Sequence, residues 1–333
     1  MIEIFGTLGP ACSQMEKLEK MFSEGMTGMR LNMSHSGLKE SKQVVYNFWE
    51  AAHRAGVKPE LLIDMQGPEI RIGDLPAPLQ LSESEEIAFV CGEVYPLELP
   101  TVPVSAQIFS ALEIGDHVLL DDGKLELVVT SVGEKITASV LRGGFLQKRK
   151  SLKIIDKLIS GSVMTDQDKE NIRLAKDYGV TALMQPFVTN GKQLSEVKKE
   201  LQKTQIEHIR IFAKIENREG VKNIRDIIKD ADMVVIARGD LGNDMPLWKL
   251  PVAQKTISDI CRKECKPFLV VTQLLASMVQ NPYPTRAEIS DIFHAVMDGA
   301  SAVMVTNETA IGKYPVEVIR YLNKTVLEAS TVK

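Results

Sequence analysis

The sequence predicts an α/β fold: a (β/α)8 barrel with a small all-β domain inserted after its third strand. Three observations carry this prediction. Eight short apolar, β-rich runs recur along the chain: "IEIFGTL", "GMRLNMS", "ELLIDMQ", "TALMQPF", "IRIFAKI", "MVVIARG", "PFLVVTQ" and "SAVMVTN". Most are followed by an amphipathic, helix-like segment, as over residues 37–55, 217–229, 252–264 and 286–297. Between the third and fourth runs, residues 73–162 break the alternation with short strand-like pieces and turn pairs. Near-continuous apolar strands alternating with helices imply a parallel sheet covered on both faces. Eight such units imply a closed barrel, with an open doubly wound sheet as the alternative.

Taken in order, residues 1–72 supply the first three units of the barrel. The insertion at 73–162 contains "HVLLDDGKLELVVTSVGEKITASVLRGG", where Asp122-Gly123 and Gly143-Gly144 punctuate the strands. It leaves from the C-terminal end of a barrel strand, the face on which barrel enzymes build active sites, so a lid is expected. The barrel resumes over 163–333. In "VMTDQDKENIRLAKDYGV", Thr165 is placed to cap a helix with Asp168 as its reciprocal partner, and Gly179 to stop it.

The 333 residues carry a net charge of -4, from 40 basic and 44 acidic side chains, with no run of like charge. Nucleic acid is not an expected partner. No stretch has the ~20 apolar residues of a membrane span, and the chain enters a strand without the regions of a signal peptide, so a cytoplasmic location is expected. Cys12, Cys91, Cys261 and Cys265 are too few and too irregular for a disulfide framework. Cys261 and Cys265, four apart in a helix-like segment, lack a third ligand nearby, so reduced thiols are expected rather than zinc. His208 reads as a loop residue, His117 and His294 as structural, and Trp49 and Trp248 as packing residues.

Polar residues concentrate at the C-terminal ends of the predicted strands. Side chains alternate along a strand, so Arg30, Asn32 and Ser34 share one face. Asp64 and Gln66, Lys214 and Glu216, Arg238 and Asp240, Thr272 and Thr306 end their strands in the same way, and all converge on one rim. So many ionisable groups must neutralise one another, as an ion-paired plug would, or hold a charged ligand. Glu216 and Asp240 supply hard oxygen ligands suited to Mg2+ or Mn2+, while Arg30 and Lys214 supply positive charge for an anion. A divalent metal with cations around a phosphate is the arrangement that phosphoryl transfer requires.

At this point the residues resemble the pyruvate kinase family. "TLGPACSQMEKLEKMFSEGMTGMRLNMSHSG", "LLIDMQGPEIRIG", "LLDDGKLEL", "AKIENREGVKNI", "VIARGDLGNDMP", "VTQLLASMVQNPYPTRAEISDI" and "NETAIGKYPVE" are similar to its signatures. The resemblance implies a TIM-barrel phosphotransferase of glycolysis that moves phosphate between phosphoenolpyruvate and ADP to give pyruvate and ATP, with Mg2+ (or Mn2+) and K+ as cofactors. It implies that Glu216 and Asp240 bind the divalent metal and that Arg30 and Lys214 hold the transferring phosphoryl group. Thr272 would lie at the face where the enolate carbon is protonated, and Gly239 would offer backbone to the substrate carboxylate. Asn32, Ser34, Asp64 and the backbone carbonyl of Met65 match the K+ site, Glu69 matches the residue that accompanies K+ dependence, and His35, Arg71 and Lys150 match nucleotide-side positions.

The sequence also departs from the family pattern. The family continues into a C-terminal domain carrying effector and subunit contacts, whereas this sequence stops at Lys333, so regulation through that domain is expected to be absent. Pro186 stands where the family has serine, Thr189 where it has a basic residue, and Asn307 where it has glycine; the end of the lid reads Arg149-Lys150-Ser151-Leu152-Lys153. Two alternatives follow: a Mg2+-dependent lyase or decarboxylase of a pyruvate-type oxo acid, and a catalytically weak or inactive metabolite-binding relative. A homo-oligomer formed through barrel helices is the expected assembly.

Overall fold

Each apolar run forms a strand. In the computed structural model, which describes residues 2–34, 36–67, 70–92, 99–121, 123–155, 157 and 162–332, the first three are β1 (Glu3–Thr7), β2 (Gly28–Asn32) and β3 (Glu60–Asp64). The insertion follows with β4 (Leu79–Leu81), β5 (Glu86–Cys91), β6 (Thr101–Val104), β7 (His117–Leu120), β8 (Leu125–Ser131), β9 (Ile136–Arg142), β10 (Gly144–Leu146) and β11 (Leu152–Ile154). The remaining runs form β12 (Ala182–Gln185), β13 (Arg210–Ile215), β14 (Met233–Ala237), β15 (Phe268–Val271) and β16 (Ala302–Met304).

The first three and last five strands form a closed barrel in the order β1-β16-β15-β14-β13-β12-β3-β2. Every pairing in it is parallel, and β1 closes the ring by placing Ile4 beside Val303, which excludes the open sheet. Alternation sets the two faces of each strand. Phe5, Leu62, Met184, Phe212, Val235, Leu269 and Met304 fill the interior as a packed core rather than a pore. Their strand neighbours Ile4, Ile63, Leu183, Ile211, Val234 and Val270 face the helices in the larger outer core.

The chain divides into two compact units, Met1–Pro68 with Ser162–Lys333, and Glu69–Gly161. Ile70 and Ile72 belong to the second unit, because Leu152 N donates to Ile70 O and Ile72 N to Lys150 O; the boundary therefore falls before residue 73. The second unit is a six-stranded sheet in the order β11-β7-β8-β9-β5-β6 together with the pair β4-β10. Its own core gathers Ile87, Phe89, Val118, Leu127, Ile136 and Val140. It is not purely β: Ser105 caps a short helix, Ala106–Ala111, by accepting a hydrogen bond from Ile108 N.

Thr165 and Asp168 form the reciprocal capping box that their spacing implies, at the start of the helix Asp166–Leu174. The expected helix over 217–229 is split at Asn223, whose side chain donates to Thr189 O and Glu219 Oε1. The helix Leu250–Lys263 ends before Cys265, which takes a left-handed φ of 51°, so Cys261 and Cys265 do not share a helix face. Cys261 is a buried free cysteine, and burial pushes its thiol up to about 12. Trp49 packs edge-on against Phe48 and donates to Tyr178 O, whereas Trp248 is 78% exposed, a correction to its reading as a packing residue. His117 and His294 are exposed, bonded to Glu126 and to the Ser290 carbonyl, and His208 lies exposed in a turn. No helix among the described residues is long and apolar enough to cross a membrane.

Candidate active site

The barrel interior is apolar until the strands end, and there it becomes charged. On β13 Phe212 and Lys214 share the inward face, and Glu216 follows directly after the strand ends at Ile215, so the lysine and the glutamate that follow the buried phenylalanine emerge together at the C-terminal rim. Asp64 follows the inward Leu62 on β3, and the ladder pairs Asn32 of β2 with Asp64, which brings Arg30 within reach.

The result is a chain of alternating charge. Arg30 Nε donates to Asp64 Oδ2 at 2.7 Å, with Nη2 2.6 Å from the same oxygen. Lys214 Nζ lies 3.2 Å from both Asp64 oxygens and 2.9 Å from Glu216 Oε1. The side chains of Asp64 and Glu216 are 3% and 1% exposed, so these contacts act with little solvent screening. Asp240 acts on Lys214 and Glu216 through its charge. Two cations thus face three carboxylates.

That imbalance falls on Glu216. Burial raises its carboxyl, Lys214 opposes the rise and Asp240 adds to it, leaving a pKa of about 7. Burial also works against the charged forms of Asp64 and Lys214. There the charges win: Lys214 and Arg30 hold the Asp64 carboxyl below its ordinary value, and Asp64 and Glu216 hold Lys214 above its own.

Glu216 Oε2 accepts a 2.7 Å bond from Phe187 N, whereas Oε1 has the Lys214 ammonium 2.9 Å away as an ion pair and no hydrogen-bond partner. A buried carboxylate oxygen without a hydrogen bond, close to a second carboxylate, fits the donor set of a hard divalent cation. Among the described residues no three His, Cys, Asp or Glu side chains gather as a metal cage. The fit is thus to an ion that takes one or two carboxylates and completes its shell with water or substrate oxygens.

Three non-glycine residues around this rim hold left-handed backbone: Phe187 at φ 54°, Thr272 at 76° and Gln273 at 55°. Each such conformation costs on the order of 1–3 kcal/mol and persists only where the surroundings impose it. Phe187 is held by the bond from its N–H to Glu216, and it follows Pro186, which packs so closely on Gly67 that a Cβ there would fall 2.4 Å from Pro186 Cγ. Gly67 itself has φ 59°, so glycine is required at that position on both counts. Thr272 Oγ1 donates to Val271 O at 2.6 Å, and a Cβ on Gly239 would lie 3.6 Å from Thr272 Cγ2, so the two candidate substrate residues are neighbours.

The expectation for Arg238 and Asp240 needs correction. β14 ends at Ala237, and Arg238 begins the short helix Arg238–Asn243, so strand alternation no longer applies. Arg238 turns toward Asp291 and the Thr272 carbonyl, while Asp240 stays within electrostatic reach of Glu216. Met65, 2% exposed, donates its N–H to Met184 O, and Ser34 N donates to Asn32 Oδ1, which gathers the candidate K+ residues at the ends of β2 and β3. Within the inserted unit, Lys150 pairs with Asp121 at 2.8 Å and Arg71 donates to Arg149 O. His35 and Glu69 lie outside the described residues.

Sequence reasoning missed two buried carboxylates. Glu308 accepts from Thr306 N and Leu275 N, tying the ends of β16 and β15 together; Asp168 accepts from Gln66 N, Gly67 N and Thr165 N. The capping box was the available signal for Asp168, and it said nothing of the bonds to Gln66 and Gly67. For Glu308 the available signal was a lone glutamate four residues beyond the end of β16.

Asp64 also gives a stability prediction. A carboxyl lowered in the folded state contributes stability that is present above its unfolded value and is lost as the pH falls through the folded value. Asp64→Asn is expected to cost about 3–5 kcal/mol at pH 7, because the largely buried Arg30 loses its carboxylate and Lys214 loses one of its two. The difference from the wild type should shrink below about pH 4, as read by urea denaturation across a pH series.

A family model described as pyruvate kinase, barrel domain, matches residues 1–319. The chain belongs to the pyruvate kinase family. It is 35% identical to the pyruvate kinase of Geobacillus stearothermophilus over 98% of its own length and 56% of that protein's. It is likewise 35% identical to the pyruvate kinase of Aeropyrum pernix, over 97% of this chain and 69% of the relative. The crystal structure of a pyruvate kinase from Cryptosporidium parvum superposes with a TM-score of 0.92 at 30% identity, covering all of this chain and 70% of that one. The chain thus spans little more than half the length of some pyruvate kinases it matches.

Proposed function

We propose that this chain is a phosphotransferase that moves phosphate between phosphoenolpyruvate and ADP, giving pyruvate and ATP. The observation that carries the reading is Lys214, held between Asp64 and Glu216 at the rim of a pyruvate kinase barrel, where a buried ammonium is fixed in place before any substrate arrives. Electrostatic groups that need no reorganisation during the reaction are the main source of catalysis in phosphoryl transfer.

In this reading Glu216 and Asp240 hold Mg2+ (or Mn2+), which would neutralise substrate oxygens and polarise the enolate. Lys214 and Arg30 face the phosphoryl group, and Asp64 keeps both cations in position. Gly239 presents backbone to the substrate carboxylate, with Thr272 beside it at the face where the enolate carbon gains its proton. Asn32, Ser34, Asp64 and the Met65 carbonyl hold K+. His35, Arg71 and Lys150 serve the nucleotide.

Glu216 makes metal binding a proton-linked event. Its carboxyl, raised to about 7, stays protonated in mildly acidic solution, so a metal that takes its oxygen must displace that proton. Titration calorimetry with Mg2+ and oxalate, a dianion shaped like the enolate, in buffers of different ionisation enthalpy is expected to show close to one proton released at pH 6 and close to none at pH 8. Affinity should rise about tenfold per pH unit up to pH 7 and then level off. Binding with no proton release at pH 6 would place the metal elsewhere.

A further inference from the structure

Arg238 has no place in the mechanism above, yet its side chain is only 10% exposed and its hydrogen bonds go to the Thr272 carbonyl and to Asp291. Its Nε and Nη2 donate to a single oxygen, the carbonyl of Thr272, at 3.2 and 2.6 Å. Its Nη1 lies 2.8 and 2.7 Å from the two carboxylate oxygens of Asp291, on the helix Arg286–Met297. The carbonyl it grips belongs to the first of two consecutive left-handed residues, Thr272 and Gln273. A β-branched residue at φ 76° is a genuine outlier, and Gln273 is exposed, so no packing of its side chain accounts for the turn.

We propose that Arg238, braced by Asp291, is a positioning residue that holds the Thr272–Gln273 turn in its left-handed form and so fixes Thr272 beside Gly239. The proposal deepens the functional reading above and rests on it for the role of Thr272. The chemistry selects arginine: one planar fork gives two donors to the carbonyl and still reaches the carboxylate, which an ammonium on a flexible stem does not reproduce. The arrangement ties the ends of β14 and β15 to the helix that follows β15.

Three proteins test it, Arg238→Lys, Gln273→Gly and the double variant, each read by crystal structure and by turnover of phosphoenolpyruvate and ADP. Arg238→Lys is expected to let Thr272 relax to a negative φ and to lower kcat about a hundredfold, as misplacement near a reacting group does. KM for phosphoenolpyruvate should stay within about threefold, since the ground-state contacts remain. Gln273→Gly alone should match the wild type. In the double variant it should restore both the left-handed Thr272 and most of kcat, because glycine adopts that conformation without strain and lowers the cost of the whole turn.

Loss of charge or of general stability would not be repaired by removing an exposed side chain. Thr272 remaining left-handed in Arg238→Lys, or a fall in kcat that Gln273→Gly does not relieve, overturns the proposal. Should the wild type turn over neither substrate, the functional reading fails, while the φ of Thr272 across the three structures still decides the role of Arg238.

Discussion

Lys214→Met is expected to abolish most of the activity and, unusually for a residue at a substrate rim, to destabilise the fold as well. The ammonium serves Asp64 and Glu216 together. Without it Asp64 keeps Arg30, but among the described residues Glu216 is left with the Phe187 N–H as its hydrogen-bond donor and with the opposing charge of Asp240. Leaving one member of a buried pair uncompensated costs about 3–5 kcal/mol. That cost should be largest at pH 8, where Glu216 is ionised, and smaller at pH 6, where it takes up a proton. Removing a preorganised charge from the phosphoryl position should lower kcat by about a hundred- to a thousandfold. Urea denaturation at the two pH values and steady-state kinetics check the two halves separately. Full stability with lost turnover would mean that the pair is not coupled as the distances imply.

Glu216→Gln is expected to act in the opposite order, on ligand binding first. The variant keeps an oxygen to accept the Phe187 N–H but loses the charge that a divalent ion requires. Mg2+ affinity should fall about a hundredfold or more, a loss beyond that seen when only the partner of a metal ligand is removed. The proton release seen with the wild type at pH 6 should vanish with it. Turnover should fall with metal occupancy and be partly restored by high Mg2+. Calorimetry of Mg2+ with oxalate, run beside circular dichroism spectra that are expected to match the wild type, separates this from general damage.

Much of this site was legible in the sequence because strand periodicity is rigid. Once "IRIFAKIEN" is a barrel strand with Phe212 inward, Lys214 and Glu216 must also point inward, and their position at the strand end places them on the rim. The same parity placed Arg30 and Asp64. It does not carry over to Arg238 and Asp240, where the strand has already ended at Ala237 and the helix Arg238–Asn243 begins.

Backbone strain was the least visible feature. Phe187, Thr272 and Gln273 are residue types that ordinarily avoid left-handed conformations, and nothing local in the sequence announces them; the Phe187 N–H donates to Glu216 and the Thr272 carbonyl accepts from Arg238, partners distant in sequence. The helix inside the insertion is marked only by Ser105, too short a signal to stand out among strands. Trp248 defeats the rule that tryptophans pack, because apolar residues are not confined to the interior.

The most direct test of the central claim is a 31P NMR record of phosphoenolpyruvate and ADP mixed with the protein, Mg2+ and K+, run beside a Lys214→Ala, Glu216→Ala variant. The site described here predicts that the phosphoenolpyruvate signal is replaced by the γ-phosphate signal of ATP, with no inorganic phosphate accumulating, and that the double variant leaves the spectrum unchanged. Loss of phosphoenolpyruvate to inorganic phosphate, no change with the wild type, or equal conversion by the variant would contradict it.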